Sequence, residues 1–134
     1  MTQCSVLIIS GQRCEVVDRK ALRSAGFLVD ESADWPADSS VAQYHIVLVE
    51  FSPVARACML AARLRAKRGI GQRVLMACVP ESTPKERRDA LEAGFDGVID
   101  RACTPRQQVA AMLSCLRARP EFRCLLPRRG GRAA

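Results

Sequence analysis

Short apolar runs alternate with amphipathic stretches along most of the chain. The runs at 5–9 and 45–49 lack polar alternation, which is typical of strands covered on both faces of a parallel sheet. Amphipathic or turn-rich segments separate such runs, as in β-α-β units. We predict five strands, at 5–9, 27–29, 45–49, 73–79 and 96–100.

The amphipathic stretches predict helices between these strands. From 12 to 25, apolar residues recur at three- and four-residue spacing, and Gly26 follows where a helix-ending glycine is expected. The segment 34–40 is rich in turn-forming residues, so we expect at most a short helix before Tyr44.

The remaining three helices have clear start signals. Ser52 is expected to act as the N-cap of a helix that runs to about Arg68, with Pro53 at its first position. Thr83 and Thr104 each begin a capping box with a proline at its second position. We therefore predict that a helix starts at each of these two threonines.

This order of elements predicts a flavodoxin-like α/β fold. Five strands and five helices alternate within residues 1–118, which suits a doubly wound, five-stranded parallel sheet between two layers of helices. Such sheets bind ligands at the carboxyl ends of their strands. After Pro120 the chain is rich in proline, glycine and arginine, so we expect 119–134 to be a flexible basic tail.

Charge adds a second feature, because the net charge of +7 is unevenly spread. The span 51–80 holds six basic residues and no acid, and 119–134 holds five arginines and one acid. Surfaces of this kind bind nucleic acid, anionic lipid or acidic proteins.

Other site classes find little support in the composition. Seven cysteines include no C-x-x-C pair, and the single histidine, His45, stands at the start of a strand, so we expect reduced thiols and no metal site. No apolar run approaches the roughly 18 residues of a membrane span, and the N-terminus does not resemble a secretory signal. We expect a cytoplasmic protein.

Several segments together resemble the receiver domain of bacterial two-component response regulators. Residues 90–101, Ala-Leu-Glu-Ala-Gly-Phe-Asp-Gly-Val-Ile-Asp-Arg, are similar to the family's Ala-Leu-x-Ala-Gly-Ala-x-x-Tyr-Leu-x-Lys segment. Residues 6–9, 21–29 and 46–53 also fit the family pattern. The resemblance covers roughly 5–118, and it implies a role in phosphorelay signal transduction.

The resemblance also implies a phosphorylation site, but this chain replaces every residue of it. In the family, an Asp accepts the phosphoryl group, an acidic pair holds Mg²⁺, and a Ser or Thr, a Lys and an aromatic residue complete the site. The acceptor position falls here on Glu50, and the acidic pair falls on Ser10 and Gly11. The hydroxyl position falls on Val79, or on Cys78 after a one-residue shift. The lysine position is Arg101 and the aromatic position is Val98.

These substitutions predict a degenerate form of the domain, a pseudo-receiver. Mg²⁺ is usually held by one or two carboxylates, which Ser10 and Gly11 do not supply. Glu50 is one methylene longer than Asp, which displaces the nucleophilic oxygen. We expect lost or weak Mg²⁺ binding, no other cofactor, no catalytic residue and no phosphorylation on Asp.

The role of the charged pair is left open by the sequence. Arg101 is permanently charged and planar, so one hypothesis is that it holds the Glu50 carboxylate and locks the domain in one state. The other is that both are solvated charges at strand ends. Cys78 is either a redox-active thiol or, as we favour, a small buried hydrophobe.

A protein partner is the favoured interpretation, namely a histidine kinase, phosphotransfer or effector domain. Homodimerisation through strand 96–100 and the helices that start at Thr83 and Thr104 is compatible with the sequence. One alternative is a nucleic-acid-binding regulator that uses the basic helix 52–68 and the arginine-rich tail. It is less favoured because few aromatic residues are available for stacking. The other alternative is a small flavodoxin-like enzyme.

Overall fold

The computed structural model describes residues 3–10, 15–33, 43–66, 73–120 and 122. Within them, five parallel strands form one sheet in the order β2-β1-β3-β4-β5, the order of flavodoxin-like doubly wound folds. The predicted fold class is therefore confirmed. The strands are β1 (Ser5–Ser10), β2 (Leu28–Ser32), β3 (Ile46–Glu50), β4 (Val74–Cys78) and β5 (Gly97–Ile99).

Helices cover both faces of the sheet. The described helices are α1 (Arg19–Ser24), α2 (Val54–Arg65), α3 (Pro84–Glu92) and α4 (Pro105–Arg117). Buried residues of α1 and α4 join one hydrophobic cluster, and those of α2 and α3 join a second cluster on the opposite face. The three-layer arrangement is thus confirmed. The short helix predicted before Tyr44 lies outside the described residues, and no described helix is long and apolar enough to cross a bilayer.

The predicted capping boxes are confirmed. Thr83 accepts the backbone N–H of Glu86 while the Glu86 side chain accepts the N–H of Thr83, and Thr104 and Gln107 make the same reciprocal pair. Each box satisfies two backbone donors that the first helical turn leaves free. These two helix starts need no tertiary contact, which is why the sequence alone locates them.

Two other predicted helix starts are wrong. The helix predicted over 12–25 begins only at Arg19, because the N–H groups of Val16 and Val17 bond to a distant side chain and Asp18 caps the helix. The helix predicted to start at Pro53 begins at Val54. Pro53 itself has an extended backbone, with ψ at 175°, and stands at the N-cap position without a side-chain cap.

Residues beyond the predicted boundary at 118 pack on the domain. Arg119 pairs with Asp96 at 2.7 Å, and the other carboxylate oxygen of Asp96 pairs with Arg65 at 2.9 Å and accepts the N–H of Leu75 at 2.8 Å. Phe122 is buried and joins the cluster of α1 and α4. The packed domain therefore extends past 118, and the rest of the predicted flexible tail lies outside the described residues.

The cysteines within the described residues are free thiols, as predicted. Burial raises the pKa of Cys4 to about 12. Burial and, after it, the Asp96 carboxylate raise the pKa of Cys115 to about 11. Thiols with such raised pKa values are poor nucleophiles, since the thiolate is the reactive form. These two cysteines are small packing residues.

Candidate functional site

A row of four aligned residues lies at the carboxyl edge of the sheet. Glu50 ends β3, and the parallel register pairs it with Ser10 of β1 on one side and Cys78 of β4 on the other. Cys78 is in turn paired with Ile99 of β5. Ligands bind at this edge in open α/β sheets, so the row marks the candidate site.

The carboxylate of Glu50 is fully buried, and both of its oxygens accept hydrogen bonds. Its Oε2 atom accepts the backbone N–H groups of Val16 and Val17, each at 2.9 Å, and Nη1 of Arg19 at 2.8 Å. Its Oε1 atom accepts Nη2 of Arg19 at 2.7 Å. The two guanidinium bonds form the bidentate geometry that makes arginine–carboxylate pairs strong.

These donors decide the protonation state of Glu50. Burial by itself disfavours the charged form, but the bonds from Arg19 and from the amides of Val17 and Val16 outweigh it, and the pKa of Glu50 is lowered. The bond with Glu50 is the main reason that the pKa of Arg19 is raised. Both groups are therefore charged at neutral pH, and each neutralises the other.

Arg19 also connects Glu50 to its surroundings. Its Nη1 atom donates to the carbonyl of Val17 at 2.9 Å, and its Nε atom donates to Glu31 of β2 at 2.9 Å. One guanidinium thus joins β2, β3 and the segment 15–18, which is the stretch of chain that leads into α1. This segment lies over the Glu50 carboxylate, and Val16 and Val17 bury their side chains in the core.

A second buried polar residue holds the same segment from the other side. Gln108 of α4 donates from Nε2 to the carbonyl of Val16 at 3.0 Å and accepts the N–H of Asp18 at Oε1 at 2.9 Å. Asp18 in turn caps α1 by accepting the N–H of Ala21. The segment 15–18 is therefore bonded both to Glu50 and to Gln108.

Solved structures of similar architecture include several response regulators. The chemotaxis response regulator CheY4 of Vibrio cholerae is 17% identical, with a TM-score of 0.69 over 86% of this chain and 100% of CheY4. HP1043, an orphan response regulator of H. pylori, is 21% identical, with a TM-score of 0.63 over 84% and 96% of the two chains. A response regulator from Thermotoga maritima is 13% identical, with a TM-score of 0.69 over 85% and 98%.

The chain has the receiver-domain fold. The resemblance inferred from the sequence is confirmed at this level, because the receiver structures align over nearly their whole length. A scan against protein-family models found no match, and a search of the curated proteins found none either.

The receiver fold brings only part of the expected site together. Ser10, Glu50 and Cys78 share one row, so the one-residue-shifted choice for the hydroxyl position is the one in register with Glu50. Val79 and Val98 instead pack with the cluster of α2 and α3 on the other face of the sheet. Gly11 lies outside the described residues.

The hypothesis that Arg101 holds Glu50 is wrong. Arg101, which the sequence resemblance assigns to the lysine position, is exposed, while the Glu50 carboxylate is bonded by Arg19. The alternative that Glu50 is a solvated charge is wrong as well, because its side chain is fully buried. Glu50 does form a locked ion pair, but with the arginine that begins α1.

The described residues do not fit the Mg²⁺ site of a receiver domain. Mg²⁺ requires oxygen ligands in near-octahedral order, and both oxygens of Glu50 are already bonded by a cation and two amides. The neighbours in the row add one hydroxyl, one thiol and one aliphatic side chain. Within the described ranges, no group of three or more His, Cys, Asp or Glu side chains could hold a metal ion.

Another buried acid, Asp100, lies directly after β5. It accepts the hydroxyl of Ser82 at 2.9 Å and the N–H of Ala102 at 3.0 Å, and Arg87 approaches to 4.0 Å. Both carboxylate oxygens therefore hold the loops that follow β4 and β5. Asp100 is a structural acid of this edge, and the sequence analysis assigned it no role.

Sequence reasoning also missed Arg19 and Gln108. Gln108 carried a signal, because it precedes Met112 and Leu116 at the i, i+4, i+8 spacing of a buried helix face. A glutamine in such a row is expected to have a specific buried partner. Arg19 carried no comparable signal, since it lies within the helix predicted over 12–25, where a charged residue is expected on the solvent-facing side.

The acid-free span 51–80 is only partly a basic surface. Arg65 donates to the carbonyl of Gly94 and to Asp96, and Arg73 lies over the ring of Phe122, with 5.9 Å from its guanidinium carbon to the ring centroid. These two arginines are used inside the domain. The others are the exposed Arg56 and Arg63 and, outside the described residues, Lys67 and Arg68.

Proposed function

We propose that this chain is a receiver-type signalling domain that is not phosphorylated at its acceptor position and acts by protein–protein contact. One observation carries the proposal: the carboxylate at the acceptor position, Glu50, is buried and fully bonded by Arg19, Val16 and Val17. A nucleophile must reach the phosphorus atom, and the Glu50 carboxylate is fully buried with both of its oxygens already hydrogen-bonded.

The same observation argues against magnesium-assisted phosphoryl transfer. In receiver chemistry the cation neutralises charge on the transferring group. Here Arg19 supplies the positive charge, and it is used on the Glu50 carboxylate itself. Weak or absent Mg²⁺ binding therefore follows from the proposal, as does a domain without enzymatic activity of its own.

A histidine kinase, a phosphotransfer domain or an effector domain is the proposed class of partner. The support comes from the receiver fold together with the loss of phosphorylation chemistry, since contact is what remains of the family's function. Binding to nucleic acid has less support, because Arg65 and Arg73 are engaged within the domain. Homodimerisation through α3, β5 and α4 remains part of the proposal.

Phosphorylation by a small donor tests the proposal. We expect no phosphoryl adduct after incubation with acetyl phosphate and Mg²⁺, as measured by intact mass spectrometry at neutral pH. The Glu50→Gln variant, treated in the same way, is the control for adducts at other residues. A stable adduct that appears in the wild type and is absent from E50Q would overturn the proposal.

A further inference from the structure

Gln108 occupies a position where a globular domain normally places an apolar side chain. It lies on the buried face of α4 with Met112 and Leu116, and it is only 4% exposed. Both ends of its amide bond to the segment 15–18, and Nε2 also lies 3.4 Å from the carbonyl of Cys103 at the start of α4. A buried amide with satisfied bonds fixes one arrangement of its neighbours.

The residue between the two sites is Val16. Its N–H bonds to Glu50 of β3 and its carbonyl accepts Nε2 of Gln108 of α4, so a single residue connects the carboxylate to the helix. A second connection runs through Asp18, which is held by Gln108 and directly precedes Arg19, the partner of Glu50. Movement of the segment in either direction alters both sets of bonds.

The sequence resemblance assigns the family's switch aromatic to Val98, an aliphatic residue that packs on the opposite face of the sheet from Glu50. The bonds through Val16 and Asp18 provide a different route, which joins the Glu50 site to the helix layer of α1 and α4.

We propose that Gln108 is a positioning residue that couples the Glu50 site to α4. Displacing α4 loosens Val16 and Val17 from Glu50, and loosening Glu50 in turn changes the environment of Gln108. Coupling of this kind is reciprocal by thermodynamic necessity. The inference rests on the proposed function, because it describes how a domain whose acceptor-position carboxylate is already hydrogen-bonded transmits a conformational change to α4.

Amide hydrogen exchange measured by NMR tests the coupling. In Gln108→Leu, the exchange rates of the Val16 and Val17 amides are expected to rise about fivefold, the effect of losing bonds worth about 1 kcal/mol net. The control is Val109→Ala, which removes partly buried methyl groups from the same helix without touching the segment's backbone. In that variant the two amides should exchange at nearly the wild-type rate.

The reciprocal measurement uses Glu50→Gln. The side-chain amide resonances of Gln108 are expected to move toward those of a free glutamine, because Val16 is no longer held in place. Equal acceleration in Q108L and V109A, or none in Q108L, would overturn the coupling. If Q108L does not fold, Gln108→Met keeps the length and unbranched shape of the side chain, removes the bonds to Val16 and Asp18, and gives the same readout.

These outcomes are independent of the phosphorylation test. A phosphoryl adduct on Glu50 would refute the proposed function whatever the exchange rates are. Unchanged exchange with no adduct would refute the coupling alone.

Discussion

Replacing Glu50 by glutamine is expected to lower the free energy of unfolding by about 3 kcal/mol. The substitution removes the charge partner of Arg19, whose side chain is 16% exposed, so we expect the low end of the roughly 3–5 kcal/mol that removing one partner of a buried ion pair typically costs. It also replaces one carboxylate oxygen by an amide N–H₂ group, which cannot accept the bond that Nη2 of Arg19 donates to Oε1. Urea denaturation at neutral pH, followed by circular dichroism, measures this change.

The matched control is Glu81→Gln, which makes the same chemical change at an exposed position. It should alter the free energy of unfolding by no more than about 0.5 kcal/mol. If E50Q proved as stable as E81Q, the bonded carboxylate seen in the structure would not exist in solution.

Replacing Arg19 by methionine is expected to cost about as much as E50Q. The Glu50 carboxylate would remain fully buried with only two amide donors, and methionine replaces the side-chain volume without the charge. Because the two residues act as one pair, the double variant E50Q/R19M should lose clearly less stability than the sum of the single variants.

The Arg101→Ala variant distinguishes the observed ion pair between Arg19 and Glu50 from the pair between Arg101 and Glu50 that the sequence suggested. Arg101 is exposed, so its removal should change the free energy of unfolding by at most about 0.5 kcal/mol. The same denaturation experiment on R19M and R101A compares the two arginines directly. A cost for R101A equal to that for R19M would show that the wrong arginine has been assigned to Glu50.

Local sequence signals predicted most of the fold because most of the fold depends on local chemistry. The strands β1, β3 and β4 follow from uninterrupted apolar runs, whereas β2, predicted at 27–29, extends to Ser32 through polar residues, and β5 is shorter than the predicted 96–100. The helices at Thr83 and Thr104 follow from capping boxes whose bonds span three residues. Gly26, predicted to end the first helix, has a φ angle of +97°, and Gly94, which follows α3, has a φ angle of +113°; residues with a side chain rarely adopt such angles.

The errors lie where distant residues decide local structure. Val16 and Val17 fit a helical apolar pattern, yet their amides bond to Glu50, 34 and 33 residues away. A pattern within 12–25 carries no information about that carboxylate. The start of α1 was therefore misplaced by the competition between a local helix and a long-range bond.

The candidate site was predicted in position but not in its contacts. The sequence located Glu50 at the carboxyl edge of the sheet, because the strand that ends there is unambiguous. It did not identify Arg19 or Gln108, since the bond between Gln108 and Val16 joins residues 92 positions apart. Arg101 was chosen by family position, and side-chain direction at a strand end is not determined by position in the chain.

The pH dependence of Glu50 follows from the same contacts. Its pKa in the folded protein is lowered below the ordinary value of 4.5, so the ionised form stabilises the fold. That contribution is complete above the ordinary pKa, where the unfolded chain is also ionised. It is lost as the pH falls through the lower pKa of the folded state.

A carbon-13 NMR titration of the Glu50 side-chain carboxyl group tests most directly whether this carboxylate is ion-paired and hydrogen-bonded in the folded protein. If Arg19 and the amides of Val16 and Val17 hold it, the titration midpoint in the folded protein lies below 4.5. A midpoint at or above 4.5 would contradict an ion-paired, hydrogen-bonded Glu50 carboxylate. It would also contradict the proposal that the domain signals by contact and not by phosphorylation.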